Sequence, residues 1–107
     1  MARAANPSAR LIDEIQAVCA NLVFTQITIG LTYCHLARTQ PDESRRQRHL
    51  RVAHDIHDRA VHFMWTLRLG HTEANEMSAE IERLKFEIES EECRPPFKAA
   101  QARAARA

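Results

Sequence analysis

The chain has 107 residues, 45% of them hydrophobic, with two glycines, four prolines and a net charge of +1. A single domain with a marginal core fits that length, and so few turn-forming residues imply few, long elements, hence an all-α chain. Near-neutrality excludes a strong overall pull on nucleic acid or acidic membranes, and having only Gly30 and Gly70, far apart, excludes a P-loop, a GxGxxG turn or a GxSxG elbow.

Residues 1–5 read as a loose, disordered end, with Asn6 as N-cap and Pro7 at the first helical position. The first helix is expected over about 7–39. Its central stretch, Ile15 to Ala37, holds no Asp, Glu, Lys or Arg and is long enough to cross a bilayer. Gln16, Asn21, Thr25, Gln26, Thr28, Thr32 and His35 lie inside it, however, so the central helix of a soluble bundle is the better reading. Leu11, Ile15, Val18, Leu22, Ile29, Tyr33 and Leu36 share one face and are taken as core; Val23, Phe24, Ile27, Leu31 and Cys34 cover the other flank. On that reading Leu22→Asp is among the most damaging single changes.

Pro41 breaks the chain and Asp42 caps a second helix over about 42–69, with Gly70 expected as a left-handed C-cap. The core stripe of that helix reads His49, Val52, Ala53, Ile56, Ala60, Phe63, Met64 and Leu67; a second stripe, Leu50, Val61 and Trp65, suits a partner. Thr72 is expected to cap a third helix over about 73–92, whose seam is Met77, Ile81, Leu84 and Ile88. Phe86 lies opposite that seam and is a further candidate for contact with another subunit. Residues 94–107 read as a flexible Ala/Arg-rich tail. Residues 6–93 thus form one domain: a long antiparallel helical hairpin with a shorter third helix, a three-helix bundle completed by dimerisation.

Chemistry has few footholds. His54, His57, Asp58 and His62 stand three and four apart, a spacing that can hold a divalent metal, although a solvated charge ladder explains it more simply. Arg45, Arg46, Arg48 and Arg51 could meet nucleic-acid phosphates, yet they fan over most of the wheel. Cys34 and His35 are adjacent and cannot act as a catalytic pair on one helix, so no enzyme is expected. Cys19, Cys34 and Cys93 form no CxxC and read as reduced thiols of a cytoplasmic protein. Asp13 and Glu14 interrupt any signal-peptide core.

From Asn21 to about Ile88 the chain resembles a recurrent type of short bacterial all-helical protein of unassigned activity. The matching residues are Asn21, Leu22, Thr25, the run Leu36 to Thr39, Asp42, Glu43, Arg46, Arg48, Ala53, Asp58, Phe63, Thr72 and Ile81. His57 and Trp65 depart from it, where a tyrosine and a proline would be usual, and no functional residue carries over. The expected function is a non-enzymatic interaction or regulatory module acting as a homodimer, with metal binding and nucleic-acid binding as alternatives and no cofactor.

Overall fold

The computed structural model describes residues 7–94. The expected loose end, the Asn6 cap and all but the first residue of the expected tail lie outside the described residues. Every element within them is helical: α1 Pro7–Thr39, α2 Glu43–Thr66 and α3 His71–Glu92. The protein is all-α.

Three residues join α1 to α2, so the two helices turn back on each other. At the far end the Arg68 backbone N–H donates to Gln16 Oε1 at 2.8 Å, so the chain has come back alongside α1. Helix α3 returns alongside both, ending with Glu91 beside Arg38 of α1 and Arg46 of α2. It therefore runs parallel to α1.

A local signal sets the start of α2. Asp42 Oδ1 accepts from the backbone N–H groups of Ser44 and Arg45 at 2.9 and 3.3 Å, which satisfies two of the unpaired donors at the start of α2. The other junction differs from expectation. Helix α2 stops at Thr66, with the Leu67 N–H donating to the Phe63 carbonyl. Gly70 is no left-handed C-cap: at φ −65° and ψ 161° it is the N-cap of α3, which starts before Thr72. Leucines 67 and 69 are half-buried and draw the connection back toward the core, so the α-helix ends ahead of the glycine.

The core forms where small residues let the helices approach. On α1 the buried positions are Ala20, Val23, Ile27, Gly30, Cys34 and Ala37, spaced three and four in alternation. Helix α2 contributes Leu50, Ala53, Ile56 and Ala60, and α3 contributes Met77, Ile81, Leu84 and Ile88. At the tightest point a Cβ on Gly30 would stand 3.1 Å from both Leu84 methyls and 3.2 Å from Ile56 Cγ2. The three helices thus meet over a glycine hydrogen.

The face of α1 expected to be core is the wrong one. Leu11, Ile15, Val18, Leu22, Ile29 and Leu36 point to solvent, and only Tyr33 of that set is half-buried, against His49 with ring centroids 5.6 Å apart. On α2, Phe63 is likewise exposed and His49, Val52, Met64 and Leu67 are only partly covered. On α1 the face carrying Ala20, Gly30 and Ala37 turned inward, because these residues allow close backbone approach, and most of its large aliphatic residues were left outside.

Candidate interaction surface

The outward face of α1 is the main unsatisfied feature of the molecule. Leu22 is 55% exposed, and its neighbours along the helix are comparable. The exposed set follows a heptad: Ile15, Leu22, Ile29 and Leu36 are seven apart, and Leu11, Val18, Thr25 and Thr32 form the second seven-residue series between them. The two threonines do not spoil an apolar seam. Thr25 Oγ1 donates to the Asn21 carbonyl at 2.9 Å and Thr32 Oγ1 to the Thr28 carbonyl at 3.0 Å, so each hydroxyl is satisfied by its own helix. Their methyl groups remain for packing.

The N-terminal part of α1 is open to solvent. Every residue from Pro7 to Ile15 is exposed, and the first buried one is Ala20. Helix α1 outruns its neighbours there. Next to the seam, a groove of about 350 Å³ opens between α1 and α2, walled by Cys19, Leu22, Gln26, Ile56, Arg59 and Phe63. Its walls are mainly apolar, and it lies open along the same side as the heptad residues.

The partner-facing residues expected from α2 and α3 divide. Leu50 is corrected: it is only 3% exposed, inside the core between the helices, and has no surface to offer. Val61 is half-buried against the core, whereas Trp65 and Phe86 are freely exposed. The heptad face of α1 went unrecognised as a surface. The signal that distinguishes it was present, in the Ala20, Gly30 and Ala37 stripe on the opposite side.

The histidine set is not assembled. His54 Nε2 lies 2.8 Å from Glu92 Oε1 on α3, and His57 Nδ1 lies 3.1 Å from Asp58 Oδ1. The ring of His62 packs edge-on against Phe63. His54, His57 and Asp58 do border one shallow hollow, but Lys85 borders it too and supplies a cation. Among the described residues no three His, Cys, Asp or Glu side chains are grouped to hold a metal ion.

Of the basic run, Arg45, Arg48 and Arg51 are exposed, while Arg46 is corrected: it is 4% exposed and committed elsewhere. Its guanidinium donates to the carbonyls of Glu91 and Arg94 and to Glu43 Oε1, closing the C-terminal end of α3. Arg38 completes the cluster by donating to Glu91 at 2.8 Å and to Glu87 at 3.0 Å. Those bonds, the one to Glu91 above all, hold the Arg38 guanidinium above its ordinary pKa. The nearby Cys34 thiol is pushed up to about 11, by burial first and then by the charges of Glu87 and Glu91. A thiol so protonated is a core residue with little nucleophilic character.

Comparison with family models, curated proteins and solved structures gave no match. Helix α1 is long and apolar enough to cross a membrane by length and composition, and only 28% of its most apolar window is buried within the chain.

Proposed function

We propose that this protein is a non-enzymatic protein–protein interaction module that acts as a homo-oligomer in a reducing, cytoplasmic setting. The observation that carries the reading is the heptad-spaced apolar face of α1, left open to solvent over the length of the helix. A continuous apolar strip of that kind on a small chain marks an interaction surface, because leaving it wet forgoes about 25 cal/mol for each Å² that a partner would cover. The partly buried ionic cluster of Arg38, Arg46 and Glu91 fits a scaffold role, since its charged groups are spent on holding the helix ends together. Sedimentation velocity or light scattering at tens of micromolar is the test. A species of about twice the 12.3 kDa chain mass is expected, and a strict monomer would overturn the reading.

A further inference from the structure

Taking the homo-oligomer reading as its basis, we infer that the partner of α1 is α1 of a second copy, laid antiparallel in the register that places Leu22 opposite Thr25. The heptad carries the register. When two such helices run in opposite directions with paired residue numbers summing to 47, Leu11 meets Leu36, Ile15 meets Thr32 and Val18 meets Ile29. All eight seam positions are then used, and each threonine faces an aliphatic side chain.

Three further observations select this arrangement over a parallel one. The residues flanking the seam pair by chemistry: Glu14 comes beside His35, Asn21 beside Thr28, and Ile12 beside Tyr33. The opposed helix dipoles are favourable in the antiparallel pair and unfavourable in the parallel one. The exposed Leu11 and Ile15 near the start of α1 are also covered only this way. Leu11 and Ile15 of one chain come to rest on the end of the bundle near Leu36 of the other, whereas a parallel pair would leave two overhangs touching only each other. The groove beside Leu22 and Phe63 is roofed by the same contact.

Lipid is the competing occupant, and the packing of α1 disfavours it. The inner face of α1 is locked to α2 and α3 along Ala20 to Ala37, and α2 carries the exposed charges Arg48, Arg51, Asp55, Asp58 and Arg59. Immersing α1 would take those charges into the bilayer or strip the core open.

Arg10→Cys, spin-labelled in a Cys19→Ser, Cys93→Ser background, tests the orientation by pulsed electron resonance after sedimentation has established the dimer. Antiparallel pairing predicts a separation of about 40 to 45 Å, and parallel pairing one below about 20 Å. A distance outside the longer range overturns the antiparallel register and leaves the oligomer reading standing; a monomer defeats both. Independently, His35→Glu is expected to weaken self-association on the order of tenfold, with Glu14→Lys in the same chain restoring it. Failure of that rescue counts against the register. Flotation of the wild-type chain with phosphatidylcholine vesicles, with loss of the dimer, would assign the face to lipid and overturn the proposal.

Discussion

Arg38 and Glu91, 53 residues apart, are joined by a 2.8 Å bond from Nε to Oε1 that ties the end of α1 to the end of α3. Glu91 is 0% exposed, and among the described residues no donor reaches its other oxygen, Oε2. The two partners are therefore unequal. Arg38→Ala leaves the buried carboxylate with only Arg94, at 3.7 Å, and should cost about 2 to 3 kcal/mol. Glu91→Gln keeps an acceptor for Arg38 and removes a poorly satisfied charge, so it should cost less than about 1.5 kcal/mol. Urea denaturation of both variants checks the order, and equal losses would contradict the geometry.

Arg46 and Arg45 are neighbours with opposite duties. Removing Arg46 leaves the carbonyls of Glu91 and Arg94 without their donor, so Arg46→Ala should lower stability by about 1 to 3 kcal/mol. Arg45 is exposed, and Arg45→Ala should stay within about 0.5 kcal/mol of wild type by the same measurement.

Cys34 gives the protein a dependence on alkaline pH. Its folded pKa of about 11 lies above the unfolded value of 9.0, so the folded chain holds the proton more tightly. The resulting stability is complete below pH 9.0 and is lost as the pH climbs toward 11, up to about 2 to 3 kcal/mol in all. Wild type should thus lose more stability over that window than Cys34→Ala does. Alkylation of the native protein should modify the exposed Cys93 first and Cys34 last.

Gly70 stands where a capping side chain is wanted. Its backbone is in a region open to any residue, and a Cβ there would meet nothing within 4 Å. Gly70→Ser should therefore raise stability by about 0.5 to 1 kcal/mol, through a cap for α3 and a less free unfolded chain. An unchanged or lower melting temperature would show that the junction needs glycine after all.

Leu22→Asp and Ile27→Asp separate the two faces of α1. Leu22 lies on the open face, so its substitution should preserve helicity and abolish self-association, rather than unfold the chain as a core position would. Ile27 is enclosed, and its substitution buries a charge and should unfold the domain. Circular dichroism alongside sedimentation distinguishes the outcomes.

Helix content could be read from the sequence because its signals are local: proline at 7 and 41, aspartate at 42, and long stretches without glycine. Facing could not be read so easily. On α1 both the large aliphatic stripe and the alanine and glycine stripe have helical spacing, and choosing between them depends on how closely α2 and α3 approach. Leu50 was misplaced in the same way: spacing along α2 did not show that it is 3% exposed. The Arg38, Arg46 and Glu91 cluster joins residues up to 53 positions apart, a distance at which periodicity carries no signal. The histidines had the right spacing for a ligand set, but His54 bonds to Glu92 of α3, while His57 and His62 engage their own neighbours Asp58 and Phe63.

The gap in α1 at Gly30 acts as a keyway. Leu84 of α3 and Ile56 of α2 seat into it from two directions, so neither helix can slide along α1 without withdrawing a methyl group from the slot. Related chains that fill the slot with alanine should trim the key in return, with valine at the site of Leu84, and that paired exchange would be the mark of a shared helical alignment.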